Sequence, residues 1–155
     1  MTHTIAWFIT WTTYGTWLHG DARGSFRGRT YLVPNPELEE ANRSEMKGDV
    51  VYLTDRQRAI VDATLVNECQ AQGWQLHARN VRTNHVHLVV SAERAGTFVR
   101  SRLKALAAKA LSDDAGLPMA GDNGRKRWWT EKGNIVPVEH EKSLEETTVY
   151  VGELQ

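Results

Sequence analysis

The stretch Asn84-His85-Val86-His87-Leu88-Val89-Val90 constrains this chain more than any other. Its β-branched and aliphatic side chains predict a strand, in which residues two apart point to the same face. His85 and His87 therefore project together, roughly 6–7 Å apart along the backbone, since each residue advances ~3.3 Å. Val86, Leu88 and Val90 point the other way, into a core. Two imidazoles held like this can share one divalent metal, or they can be two half-exposed strand residues. The first reading needs a nucleophile, a further ligand and a substrate surface elsewhere in the chain.

The other elements follow in order. Thr4–Thr13 alternates Ile5, Trp7, Ile9 and Trp11 with Ala6, Phe8, Thr10 and Thr12, which predicts a central strand covered on both sides. Tyr14–Ser25 is a glycine-bearing loop with Arg23 in it and Arg27 and Arg29 after it, either an ordinary surface loop or a phosphate contact. Tyr31–Asp49 reads as an irregular excursion, long for a compact domain. Thr54-Asp55-Arg56-Gln57 has the form of a capping box, and a helix with Val61, Leu65 and Cys69 on its apolar side runs to Gly73. Trp74–Val81 is a strand with Trp74, Leu76 and Ala78 on one side, joined through Arg82-Thr83-Asn84 to the histidine strand as a hairpin.

A second amphipathic helix opens at Gly96-Thr97 and runs to about Asp114. Phe98, Leu103, Leu106, Ala107, Ala110 and Leu111 form its apolar face, flanked by Arg100, Arg102, Lys104 and Lys109. Arg125-Lys126-Arg127-Trp128-Trp129 then sets three cations beside two indoles. Asn134–His140 reads as an edge strand, because Pro137 cannot donate to a ladder. Ser143-Leu144-Glu145-Glu146 reads as a second capping box, opening a short helix that carries Tyr150. The order strand–helix–strand–strand–helix–strand–helix predicts an α+β, ferredoxin-like sandwich. It has a central antiparallel sheet, helices packed on it, and a C-terminal helix bearing the tyrosine.

Size and composition bound the rest. The chain has 155 residues, read as one domain over 1–155, with 19 basic and 19 acidic residues. Charge is unevenly placed: Arg79–Lys132 carries eleven Lys/Arg against five Asp/Glu, and Glu139–Gln155 carries five acids against one lysine. The basic middle implies a local anionic partner or a solvated helix face. Cys69 is the only cysteine, which excludes an intrachain disulfide and a cysteine-based zinc site. No signal peptide and no apolar run of bilayer-spanning length is visible, so the expectation is a cytoplasmic protein with no membrane partner.

Taken together, His85-Val86-His87 preceded by Asn84, and Tyr150 in Thr148-Val149-Tyr150-Val151, resemble the single-tyrosine HUH transposases. The blocks Thr13–Asp21 and Trp128–Asn134 are similar to a subgroup of the insertion-sequence-type and REP-associated tyrosine transposases. The resemblance implies a metal-dependent transposase and endonuclease that cleaves and rejoins single-stranded, hairpin-containing DNA through a 5′-phosphotyrosine intermediate. It implies Tyr150 as nucleophile, a Mg2+ or Mn2+ ion on His85 and His87, and a homodimer. Such enzymes usually take a third metal ligand, often glutamine, one turn after the tyrosine. Leu154 stands there and cannot ligate, which leaves Glu153 at i+3 and Gln155 at i+5 as candidates.

For the nucleic acid, Arg23, Arg100, Lys104, Lys109, Arg125 and Arg127 are the candidate phosphate contacts, and Trp128 and Trp129 the candidate base-stacking platforms. One tryptophan of that pair could equally be core. Two other readings stand beside the enzyme. One is a catalytically inactive single-stranded nucleic-acid-binding domain of the same fold. The other is a metal hydrolase in which His85 and His87 bind zinc with His140 or His77.

Overall fold

The computed structural model describes residues 4–15, 25–27, 30–32, 50–117 and 127–153. Arg23 and Arg125, with most of the Tyr14–Ser25 loop and of the Tyr31–Asp49 excursion, lie outside the described residues. The elements run β1 (Ala6–Thr12), β2 (Ser25–Arg27), β3 (Thr30–Leu32), α1 (Asp55–Gln72), β4 (Gln75–Val81), β5 (His85–Ser91), α2 (Gly96–Ala115), β6 (Asn134–Val138) and α3 (Glu141–Glu153). β2 and β3 pair with each other, whereas the other four strands form one sheet in the order β4-β5-β1-β6. Every neighbouring pair in that sheet is antiparallel. This is the expected α+β, ferredoxin-like arrangement, with the histidine strand β5 beside β1 at the centre.

Local chemistry explains most of the boundaries. Thr54 accepts from the amide of Gln57 and its own amide donates to the Gln57 side chain, a complete capping box. Gly73 ends α1 at φ 73°, a left-handed conformation that costs a residue without Cβ nothing. β6 is an edge strand, where Pro137 is tolerated. No described helix is long and apolar enough to cross a membrane.

Strand parity sorts the side chains into two layers. Ile9, Trp11, Val86, Leu88 and Val90 point to one face, where α1 and α2 close over them with Val61, Leu65, Cys69, Val99, Leu103, Ala107 and Leu111. Phe8, Ala6 and Val89 point to the other face, where α3 packs with Val151 and Leu144. Burial of Cys69 pushes its thiol up to about 11, as befits a small core residue.

Three expectations are corrected. α3 begins at Glu141, so Ser143 lies inside the helix instead of capping it; Leu144 N–H already donates to His140 C=O, and Ser143 C=O accepts from the Thr147 hydroxyl. In β4, a bulge between Leu76 and Ala78 moves these two residues onto opposite layers, because the inserted residue breaks the alternation. On α2, Val99 takes the buried place assigned to Phe98, whose ring stays at the surface beneath the Arg94 guanidinium, 3.7 Å from its centroid.

Candidate active site on the half-covered face of the sheet

His85 and His87 share the α3 layer with Val89, as their parity requires. Their ring centroids lie 4.6 Å apart, with the planes nearly perpendicular at 87°. Asn84 Oδ1 sits 2.7 Å from His85 Nδ1 and can only accept, so Nδ1 carries the proton and Nε2 keeps a lone pair. His87 is 6% exposed, and its Nε2 is buried without a hydrogen-bond partner among the described residues. Burial lowers its pKa to about 4, helped by the neighbouring His85 and by Arg82. At neutral pH His87 is therefore uncharged.

Two close imidazoles, one oriented by a carboxamide and one holding an orphaned nitrogen, fit a divalent cation. Among the described residues no group of three or more His, Cys, Asp or Glu is placed to hold a metal. His77 is 2.7 Å from the Ser91 hydroxyl instead, and His140 lies at the end of β6. Glu153 ends α3, and its side chain, like the whole of Gln155, lies outside the described residues.

The tyrosine reaches the same layer from the far end of the chain. Val151 is fully buried, and its carbonyl accepts from Asn80 Nδ2 at 3.2 Å. Asn80 stands opposite His87 in the β4–β5 register, so this contact holds the end of α3 at the level of the histidines. Tyr150 is 56% exposed and meets Phe8 edge-on, with ring centroids 6.3 Å apart. Phe8 in turn stacks against His87 at 6.4 Å. Phe8 thus touches both members of the candidate site. Sequence reading had no role for it, although its parity on β1 is the available signal.

The basic and indole residues are distributed differently. Lys104 Nζ donates to the carbonyls of Thr130 (2.8 Å) and Lys132 (2.5 Å), and Arg100 Nη1 to that of Gly133 (3.3 Å). These bonds pin a strained turn in which Lys132 has φ 62° and Gly133 has φ 130°. A Cβ on Gly133 would come within 2.5 Å of the Thr10 carbonyl. Burial lowers the Lys104 ammonium to about 8, and Lys109 pairs with Asp113 at 3.0 Å.

Trp128 is 3% exposed with its Nε1 donating to Ser112 Oγ, so its ring is core and presents no face for a base. Trp129 packs edge-on against Trp11 and donates to Lys104 C=O. Trp11, Trp128, Trp129 and α2 all belong to the layer opposite the histidines. Of the proposed nucleic-acid contacts, Lys109 and Arg127 are exposed.

No protein-family model matches the chain, and no curated protein matches it. Among solved structures, a REP-associated tyrosine transposase bound to a REP hairpin is similar over 97% of this chain and 66% of that chain, with TM-score 0.54 and 12% identity. A candidate transposase from Deinococcus radiodurans R1 is similar over 97% of this chain and 91% of that one, with TM-score 0.49 and 15% identity. The shared feature is the fold: this chain has a tyrosine-transposase-like α+β architecture, a four-stranded antiparallel sheet with helices packed on it.

Proposed function

We propose that the protein is a transposase-class endonuclease that cleaves and rejoins single-stranded DNA, with Tyr150 as nucleophile. The observation that carries this reading is the convergence of His85, His87 and Tyr150 on one face of the sheet, through rings that all meet Phe8 or one another. The hairpin-bound structure with a similar fold supports the choice of DNA as substrate. Tyr150 is exposed, as a residue that must meet a phosphodiester has to be.

The reaction assigned to Tyr150 is a substitution at phosphorus. Its phenolic oxygen forms the new bond to phosphorus while the bond to the 3′ oxygen breaks. The phenol proton goes to solvent and the departing oxygen takes one up. A 5′-phosphotyrosine and a free 3′-hydroxyl result, and attack by a 3′-hydroxyl on that adduct rejoins a strand. A phenol with pKa ~10 is a weak nucleophile at neutral pH and needs such a site. His85 and His87 would hold a Mg2+ or Mn2+ ion, which supplies Lewis-acid polarisation of the phosphate. His87, already uncharged at pH 7, offers its lone pair without first losing a proton. Glu153 or Gln155 would complete the ligand set, and the same reading takes the working unit to be a homodimer.

The test is incubation with short hairpin-bearing single strands and Mn2+, followed by mass spectrometry. An adduct on the Tyr150 peptide is expected, lost in Tyr150→Phe, in His85→Ala and on chelation. Strand binding that persists without any adduct would instead select an inactive binding domain of the same fold.

A further inference from the structure

The half-covered face holds one feature that this reaction does not use. Between the edge strand β6 and the first turns of α3 lies a cleft of about 340 Å³. Phe8, Val136 and Val138 supply its apolar surface, Ser143 and Thr147 line it from α3, and Glu139 and His140 line it beyond the end of the strand. We propose that this cleft receives the base of the nucleotide attached to the scissile phosphate, and that it favours bases bearing an exocyclic amine. The inference rests on Tyr150 acting as the nucleophile.

Position is the first ground. Phe8 lines the cleft, stacks on His87 and meets Tyr150, so the cleft adjoins the site where the phosphate is to react. Tyr150 stands one helical turn beyond Thr147. Within a nucleotide the base lies one sugar away from its phosphate, which matches this adjacency. The second ground is shape and polarity. An aromatic and aliphatic surface with hydroxyls and a carboxylate beside it suits a flat ring with a polar edge.

Charge is the third ground. Glu139 and His140 line the cleft at the end of the strand, so the carboxylate that faces the cleft is that of Glu139. That carboxylate disfavours a phosphate at this end of the cleft and leaves the base as the part of the nucleotide it takes. A carboxylate accepts from an amine of cytosine, adenine or guanine. Thymine has no exocyclic amine, and its one N–H donor lies between two carbonyl oxygens that repel the carboxylate.

The experiment is a methyl-resonance NMR titration of the full chain, without metal, using the 5′-monophosphates of the four deoxynucleosides. Shifts are expected at Val136, Val138 and Thr147, with at least threefold weaker binding of dTMP. Ser143→Trp, which fills the cleft from an exposed helix position, should abolish these shifts, and Glu139→Gln should erase the discrimination against dTMP. Tyr150→Phe should leave both unchanged, so loss of cleavage and loss of base binding are read separately. In the cleavage assay, an abasic site beside the cut should lower adduct yield about tenfold, and one several nucleotides away should not. Shifts confined to β5, equal affinity for all four nucleotides, or indifference to the abasic site would each overturn the proposal.

Discussion

The two faces of the central sheet are built from the same strands and differ in what covers them. Under α1 and α2, the odd-numbered side chains of β1 and the even-numbered ones of β5 join a continuous apolar core that includes the buried tryptophans Trp11, Trp74 and Trp128. Under α3, the enclosed apolar side chains among the described residues are Ala6, Val89, Val138 and Val151, with Phe8 beside them. The next row across that face is Asn80, His87, Thr10 and Asn134, polar from edge to edge. Each face keeps one buried nitrogen without a partner among the described residues, Trp11 Nε1 under α1 and α2 and His87 Nε2 under α3, and the imidazole is the one of the two that can ligate a metal. The division also explains why the basic residues of α2 stand in a different layer from the histidines.

The sharpest way to break this division is to damage each face in turn. Leu88→Ala, in the fully covered core, should cost about 2–5 kcal/mol in urea denaturation. Acid should act on the other face. His87 has a folded pKa of about 4 against 6.5 when unperturbed, so the unfolded chain binds the proton first as pH falls. Its contribution is present in full above pH 6.5 and is lost progressively down to about pH 4, by an amount on the order of 3 kcal/mol. His87→Leu should remove that pH dependence and, by deleting an orphaned polar atom, raise stability at pH 7 by about 1–2 kcal/mol. The same variant should lose Mn2+ binding in isothermal titration. A fall in stability on His87→Leu would sink the contrast between the faces. Smallest of all, Asp62→Asn breaks an exposed pair with Arg79 at 2.7 Å, and should move the urea midpoint by less than about 1 kcal/mol of stability.

Much of the fold is legible in the residues themselves. Thr54 and Gln57 announce the start of α1, and Gly73 its end, because caps are made by neighbours in sequence. The shared face of His85 and His87 follows from strand parity alone. Legibility stops where a long-range contact outranks a local signal. Ser143 carries a capping pattern, yet the chain leaving β6 turns helical at Glu141, before it. Leu76 and Ala78 have matching parity, yet a bulge separates them. Trp128 and Trp129 are adjacent in sequence, and only their packing against Ser112 and Trp11 shows how each is enclosed.

By itself the sequence determined the order of the three helices and of the four strands of the main sheet, though not the β2–β3 pair, together with the apolar stripe of α1 and the pairing of two imidazoles on one strand face. Each of these is written in periodicity and capping within a few residues. Only the tertiary structure decided that α3 returns to the histidine layer, that Phe8 links His87 to Tyr150, and that Lys104 is spent pinning a turn on the opposite layer. The reason is physical. Register and layer are set by contacts between residues far apart in the chain, and no local pattern encodes which partner wins them.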